Sequence, residues 1–323
     1  STLIMITNSL NSFIISNSSS STSDIQTAAS TSLSTIGKIM NSLPTIDAQN
    51  TQTVLNLLKG VTSSQTTVLN DANRQTLFST TTTLLGKVIN NNVKLTTSQI
   101  QTCTSTIAQA SGVNSTSIKD NPSVLASTNQ LLTDLYVAGA NSMALGQTIT
   151  SDSTYVHSTV QMLSPSDLTG YKTTANSSYY GSFTFPANAS VIIDGVKSML
   201  TVFIVYDNAK GNDSTTEAYS RGVEFKIIEI LPSGNVTLTL NFSPSYANLT
   251  IPYYSTVSKG DTIQCVYYDN NAWSTSGCEY VSYTYPEVSC RCTHTSLFSA
   301  GINLAIVPPN NTSEDAPSKD AWE

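Results

Sequence analysis

The sequence is poor in charged side chains, and this excludes several classes of function. Asp, Glu, Lys and Arg together make up 11% of the 323 residues, against about 25% in an average soluble protein. The net charge is −7 and no cluster of Lys or Arg occurs, so nucleic acid is not expected as a partner. Ser, Thr and Asn are abundant instead, so solubility must come from hydroxyl and amide groups.

Long apolar runs are also missing. No stretch approaches the ~20 consecutive apolar residues that a membrane-spanning helix needs. The chain begins at Ser1 without a signal peptide, so we expect it to be a processed or excised piece of a longer protein. Its length is sufficient for two domains, or for one large domain with a subdomain.

Cysteine is scarce over most of the chain. Cys103 stands alone, whereas Cys265, Cys278, Cys290 and Cys292 lie close together. An even-numbered cluster favours two disulfides, and the spacing leaves three possible pairings open. Zinc is the alternative, but the C-x12-C and C-x-C spacings do not fit the usual zinc pairs. We therefore expect no metal and no other cofactor. For Cys103 we expect a buried free thiol, with intermolecular pairing as the alternative.

Asn-x-Ser/Thr triplets, which accept N-linked glycans, are frequent. Together with the disulfide signature they predict an extracellular or lumenal location. Many such triplets arise by chance in a chain this rich in Asn, Ser and Thr, so a single one carries little weight. The candidate glycosylation sites are Asn17, Asn114, Asn176, Asn188, Asn212, Asn235, Asn241, Asn248, Asn310 and Asn311.

The hydrophobic pattern changes near residue 150. Before it, apolar residues recur with helical spacing at 36–43, 54–61 and 124–135. After it, "NVTLTLNF" (235–242) alternates as a half-buried antiparallel strand does. The stretch "SMLTVFIVY" (198–206) is apolar almost throughout, as in a strand that is covered on both faces.

Further strands are predicted in "VEFKIIEI" (223–230), "YVSYTY" (280–285) and "INLAIV" (302–307). Short strands separated by turn signals are typical of a β-sandwich. The predicted fold is α+β, with an N-terminal helical subdomain followed by an antiparallel β-sandwich. The predicted domains are a helical subdomain at 1–150, a sandwich at 151–307 and a polar linker at 308–323.

The last strands carry a specific order of residues. It reads Cys265-Val-Tyr-Tyr-Asp269, Trp273-Ser274, Gly277-Cys278, Cys290-x-Cys292, His294-x-Ser296 and Phe298. This order resembles the G-protein-coupled-receptor proteolysis site (GPS), which ends the GAIN domain of adhesion receptors and polycystin-1-like proteins. The run "SLFSAGINLAIVPP" is more similar to the polycystin-1-like branch. The GPS motif would span 263–307, and outside the last 60 residues the resemblance is one of architecture only.

The resemblance implies the disulfides Cys265–Cys290 and Cys278–Cys292, and a cut in the chain's own backbone. Family members cut before the third residue of a His-Leu-Ser/Thr triplet, which here is the bond between Thr295 and Ser296. The Ser296 hydroxyl would attack the preceding carbonyl carbon, with His294 as the base. Such a reaction is a single turnover in cis and does not make the chain a turnover enzyme.

One residue departs from the motif, because Thr295 stands where the family has leucine. Its hydroxyl raises the alternative of a cut between His294 and Thr295, which we consider less favoured. Some family members keep the fold without cutting. A second interpretation is therefore an uncleaved, glycosylated structural module of a cell-surface filament or matrix. A hydrolase acting on an external substrate is the least favoured interpretation.

The expected partners follow from the resemblance. They are the cleaved C-terminal strand itself, a membrane domain C-terminal to this chain, and other cell-surface or filament proteins. For the remaining motif residues we expect packing roles. Trp273 is predicted to pack beneath the disulfides, and Phe298 to fill the sandwich core with Ile302, Leu304 and Ile306. His157 is predicted to be a surface residue on an early strand.

Overall fold

The chain folds as a layer of helices packed on a two-sheet β-sandwich, which confirms the predicted α+β class. The structure is a computed structural model. It describes residues 22–63, 69–112, 122–153, 155–175, 181–189, 198–206, 222–231, 236–238, 240–253, 257, 261–269 and 272–302. The predicted polar linker and most of the 302–307 strand lie outside these residues.

Five helices form the N-terminal layer of the described chain. Their apolar residues recur every three or four positions, which places Leu33, Ile36 and Met40 on one buried face. Asn70 caps the third helix, where its side chain accepts a hydrogen bond from the Asn73 N–H at 2.8 Å. The helices are α1 (Thr22–Ser42), α2 (Ala48–Ser63), α3 (Asp71–Asn90), α4 (Thr97–Gly112) and α5 (Pro122–Ala140).

The first sheet contains eight strands. Its order is β1-β2-β5-β6-β13-β9-β10, and β7 also pairs with β6. The strand β13 is central, since it pairs antiparallel with β6 on one side and with β9 on the other. The strands are β1 (Thr148–Asp152), β2 (Val156–Leu163), β5 (Met199–Tyr206), β6 (Gly222–Glu229), β7 (Val236–Leu238), β9 (Ile263–Asp269), β10 (Ala272–Ser274) and β13 (Leu297–Ile302).

The second sheet contains five strands in the order β11-β12-β8-β4-β3. It covers the face of the first sheet that points away from the helices. The strands are β3 (Lys172–Thr174), β4 (Ser182–Thr184), β8 (Ala247–Pro252), β11 (Cys278–Thr284) and β12 (Glu287–Cys292). This arrangement makes β5 and β6 middle-layer strands, enclosed by helices on one face and by the second sheet on the other.

Two hydrophobic clusters result from this layering. In the helix-facing cluster, Val202 and Ile204 of β5 pack with the helices, and in the inter-sheet cluster Phe203 and Val205 pack with the second sheet. Every residue of β5 is buried. The prediction that the apolar run 198–206 is a strand covered on both faces is therefore confirmed.

The structure corrects two predictions. His157 is only 4% exposed, because β1 pairs with β2 in a register that sets Asp152 opposite it and lets its Nδ1 contact the Asp152 carboxylate. Trp273 packs edge-on to Tyr268 at 5.3 Å and joins the helix-facing cluster. The four cysteines of the motif belong to the inter-sheet cluster, so Trp273 does not lie beneath the disulfides.

The described candidates for glycosylation are Asn188, Asn241 and Asn248, and all three are exposed, as acceptors must be. The other seven lie outside the described residues. Among the described helices none is both long and apolar enough to cross a membrane.

Candidate functional site

The predicted scissile bond lies in a crossover between the two sheets. Strand β12 ends at Cys292 in the second sheet, and β13 begins at Leu297 in the first. Residues 293–296 alone make the connection, so the backbone must pass from one layer of the sandwich to the other within four residues. A segment this short cannot pair with either sheet along its whole length. Its geometry therefore depends on its contacts with neighbouring residues.

Two disulfides fix the chain just before the crossover. Cys265–Cys290 joins β9 of the first sheet to β12 of the second, with 6.0 Å between the Cα atoms. Cys278–Cys292 joins β11 to β12 within the second sheet, with 4.2 Å between the Cα atoms. These are the pairs that the resemblance implies, and with all four sulfurs bonded they leave no thiolate for zinc. In the part of the chain described, no group of three or more His, Cys, Asp and Glu could hold a metal.

A glycine turn supports the crossover from the side. The Gly277 carbonyl accepts hydrogen bonds from the Thr293 N–H at 2.8 Å and from the Thr293 hydroxyl at 3.3 Å. Gly277 has φ +72°, and a Cβ at this position would lie 2.5 Å from Thr293 Oγ1 and 3.3 Å from His294 Nδ1. Only glycine permits both the backbone conformation and this close approach.

The His294 ring is held by aromatic side chains. It stands edge-on to Tyr267 at 4.2 Å between centroids and is tilted against Phe298 at 5.7 Å. Its Nε2 atom is buried, and its backbone forms an isolated bridge with Asn241. These contacts hold the plane of the imidazole ring in one orientation. A general base needs a defined orientation to stay within hydrogen-bond reach of the proton that it removes.

Thr295 is 8% exposed and is bonded twice to one residue. Its N–H donates to the Leu240 carbonyl at 3.1 Å, and its hydroxyl accepts from the Leu240 N–H at 3.2 Å. The side chain is therefore a polar anchor at the position where the related motif has an apolar one. The Thr295 hydroxyl oxygen already accepts a hydrogen bond from the Leu240 N–H, which occupies one of its lone pairs. In this conformation the hydroxyl is therefore disfavoured as a nucleophile.

Ser296 is half-buried and is also held at two points. Its carbonyl accepts a hydrogen bond from the Phe225 N–H at 3.2 Å, and its hydroxyl donates to the Tyr268 carbonyl at 3.3 Å. Thr295 and Ser296 are thus fixed by different parts of the chain, Thr295 by Leu240, which follows β7, and Ser296 by Phe225 of β6. In this conformation the Ser296 hydroxyl contacts β9.

A cavity of about 250 Å³ opens beside the same bond, between α5 and the first sheet. Thr295 and Ser296 line it together with Asn129, Glu224 and Lys226. Reasoning from the sequence missed these last three residues. The available signal was the pair of charges Glu224 and Lys226, two positions apart in "VEFKIIEI", which places both on one face of a strand whose neighbouring residues are apolar.

The segment after the crossover is deeply embedded. In β13, Phe298 pairs with Val223 of β6 and with Tyr267 of β9, and its side chain is fully buried as predicted. Ala300 is fully buried as well. The predicted companion residues Leu304 and Ile306 lie outside the described residues. Two ladders and an apolar core therefore hold this strand, independently of its covalent link to β12.

The two-sheet part of the chain matches a known family. A family model described as GPS, GAIN subdomain B, matches residues 148–300. The match begins at the first residue of β1 and ends within β13, so it includes both sheets, both disulfides and the crossover. Comparison with curated proteins finds no match.

Proposed function

We propose that the chain cuts its own backbone between Thr295 and Ser296, since residues 148–300 match the family model of GAIN subdomain B, which supports an autoproteolytic module of receptors. The observation that carries this proposal is the crossover, where the two residues of one peptide bond are anchored to separate parts of the chain. Leu240 holds Thr295, and Phe225 holds Ser296. A bond clamped from both sides can be kept in the conformation that attack requires.

The proposed reaction proceeds in two steps. First, the Ser296 Oγ bonds to the Thr295 carbonyl carbon while His294 takes the hydroxyl proton. The C–N bond then breaks, the proton passes to the departing nitrogen, and an ester links Thr295 to the Ser296 side chain. In the second step one water hydrolyses the ester and frees the Ser296 hydroxyl, and the acid proton passes to the new amine, which leaves a carboxylate on Thr295 and an ammonium on Ser296.

The starting geometry places one requirement on this reaction. The Ser296 hydroxyl must leave the Tyr268 carbonyl and turn toward the Thr295 carbonyl carbon. Rotation about the Cα–Cβ bond of Ser296 is the movement that would do this, and it breaks the hydrogen bond to Tyr268.

We further propose the setting of this reaction. The five helices would form the helical subdomain of the same GAIN domain, and the whole would be an extracellular, membrane-proximal part of a polycystin-1-like or adhesion receptor. Membership of the family supports a membrane-associated receptor as the context. After the cut, β13 would remain in the first sheet as the principal partner of the larger fragment.

The second candidate is an uncleaved glycosylated module of a filament or matrix. The abundance of Ser, Thr and Asn and the low charge favour it, and so does the exposure of Asn188, Asn241 and Asn248. It keeps the same fold and the same disulfides, and it differs only in whether the bond at Ser296 is broken.

A denaturing gel of the secreted protein distinguishes the two candidates. The wild type is expected to give two fragments and Ser296→Ala a single chain, whereas Ser296→Thr keeps a hydroxyl and continues to cut. Ser289→Ala, in β12 of the same motif, is the matched control and should cut as the wild type does. A wild-type protein that stays whole, or a Ser296→Ala variant that is cut at the same bond, contradicts the proposal.

A further inference from the structure

We propose that Glu224 and Lys226 form a receiving site for the two charges that the cut creates. The inference rests on the proposed cleavage and concerns the product. In this account Lys226 pairs with the new carboxylate of Thr295, and Glu224 pairs with the new ammonium of Ser296. The buried ion pair of the intact chain is thus prepared for the nicked one.

Glu224 is a buried charge with a full set of partners. It is 3% exposed, and its carboxylate accepts hydrogen bonds from the Asn129 side-chain amide at 2.6 Å and from the Tyr206 hydroxyl at 2.9 Å. Lys226 Nζ lies 3.1 Å from the same carboxylate. Burial raises the pKa of the Tyr206 hydroxyl, and the nearby Glu224 carboxylate raises it further, so Tyr206 stays a neutral donor.

Lys226 also reaches helix α5. Its ammonium donates to the Thr133 hydroxyl at 2.8 Å and contacts the Asn129 side-chain carbonyl. An ion pair of this kind is costly to bury, and many folds do as well with apolar residues in its place. Its position among the buried apolar residues Val223, Phe225 and Ile227 of β6 calls for a reason beyond stability.

The register of the sheet supplies that reason. Glu224 is the partner of Leu297 across the β6–β13 ladder, and the Phe225 N–H bonds to the Ser296 carbonyl. The two strands are antiparallel. Moving along β6 from Glu224 to Lys226 therefore corresponds to moving along β13 and the crossover from Leu297 back to Thr295. One cavity of about 250 Å³ is lined by Glu224, Lys226, Thr295 and Ser296. The carboxylate therefore lies toward the Ser296 side of the bond, and the ammonium toward the Thr295 side.

After cleavage, the negative Glu224 would lie near the new positive charge of Ser296, and the positive Lys226 near the new negative charge of Thr295. Hydrolysis consumes one water and yields a carboxylic acid and an amine, and transfer of one proton between them gives a carboxylate and an ammonium. Both charges arise in a partly buried setting, where an unpaired charge costs several kcal/mol. Each would face a group of the opposite sign, so the nicked site remains paired and β13 stays bound.

The test compares the same substitutions in nicked and intact protein. Glu224→Gln and Lys226→Met are made in the wild type, which cuts, and in Ser296→Ala, which does not. Release of the C-terminal fragment is measured as a dissociation rate, and unfolding midpoints are compared for both forms at one protein concentration. Glu229→Gln, a half-buried carboxylate on the same strand, is the matched control.

The expected result is a cost that is larger after the cut. Either substitution should speed fragment release by about tenfold or more, as the loss of one buried charge pair does, and should lower the midpoint more in the nicked form than in Ser296→Ala. An equal shift in both forms overturns the proposal. A variant that folds but no longer cuts overturns it too, since the pair would then act on the reaction.

Two further outcomes keep this test separate from that of the cleavage. If Glu224→Gln does not fold, Lys226→Met alone decides, because it removes the charge that faces Thr295 and leaves the Tyr206 bond intact. If the wild type is never cut, the proposed function fails along with this inference. If it is cut and the costs are equal, only the receiving site is wrong.

Discussion

Thr295 and Leu240 are joined by a reciprocal pair of hydrogen bonds, in which the Thr295 N–H donates at 3.1 Å and the Thr295 hydroxyl accepts at 3.2 Å. The related motif has leucine at this position, and the sequence alone presents threonine as a defect. The structure gives the hydroxyl a partner that leucine could not serve. The departure from the motif thus exchanges an apolar anchor for a polar one and still fixes the residue whose carbonyl is attacked in the proposed reaction.

Removing this polar anchor should loosen the crossover. Thr295→Val leaves the Leu240 N–H without its acceptor in a buried place, which is expected to cost about 1–3 kcal/mol of unfolding free energy and to reduce the fraction of chain that is cut. Thr295→Ser keeps the acceptor and is the matched control. Denaturant unfolding in the Ser296→Ala background and a gel in the cutting background measure the two effects. Equal stability of the Val and Ser variants would show that the hydroxyl is not an anchor.

The glycine turn gives a second prediction. Gly277→Ala adds a Cβ that lies 2.5 Å from Thr293 Oγ1 at a φ of +72°, so we expect a loss of about 1–3 kcal/mol and slower cutting, because His294 is displaced. Gly86→Ala in α3 is the control, since its Cβ meets no atom within 4 Å, and it should stabilise by about 0.5–1 kcal/mol. Thermal unfolding of both variants decides. Equal behaviour would mean that the turn does not support the crossover.

Counting reactive thiols tests the disulfides. Native protein should not react with a thiol reagent, because Cys103 is 1% exposed and its burial raises the pKa of the thiol to about 12. Unfolding without a reductant should expose one thiol, and unfolding with a reductant all five cysteines. Mass spectrometry of the labelled protein gives the number. More than one label without a reductant would contradict the pairs Cys265–Cys290 and Cys278–Cys292.

The same buried thiol predicts a loss of stability at alkaline pH. In the folded chain the pKa of Cys103 rises from 9.0 to about 12, so the folded state keeps a proton that the unfolded state releases. The contribution is complete below pH 9 and is lost as the pH rises toward about 12, by about 1.4 kcal/mol per pH unit. The pKa of Tyr136 is raised in the same direction.

Denaturant unfolding between about pH 8.5 and 10.5, a window set by these pKa values, measures this slope. The Cys103→Ala variant removes the thiol and should show a flatter dependence than the wild type. If the two slopes are the same, Cys103 does not titrate on unfolding, and its predicted state as a buried free thiol is wrong.

The sequence predicted the parts of the fold in which pattern and burial coincide. The run 198–206 is continuously apolar because both of its faces are covered, and the resemblance to the GPS motif implied the two disulfides that the structure contains. The hydrophobic pattern of the sequence did not predict the helices α3 and α4. Their threonines read as polar, but hydroxyls such as those of Thr80 and Thr81 bond to the carbonyl four residues earlier and can then be buried.

The environment of the site could not be read from the sequence for another reason. Asn129 contacts Glu224 and Lys226 across nearly a hundred residues of chain, and no local periodicity connects such positions. His157 illustrates the same limit, since its burial depends on the register that sets it opposite Asp152. Contacts between layers depend on topology, and topology follows from the packing of the whole chain.

In the proposed function the chain itself breaks the bond between Thr295 and Ser296. The most direct measurement is the identity of the first residue of the smaller fragment, determined by N-terminal sequencing of purified protein after denaturation, with Ser296→Ala processed in parallel. We expect a fragment that begins with Ser296 in the wild type and no fragment in the variant. A fragment that begins elsewhere, or one that persists in Ser296→Ala, would contradict it.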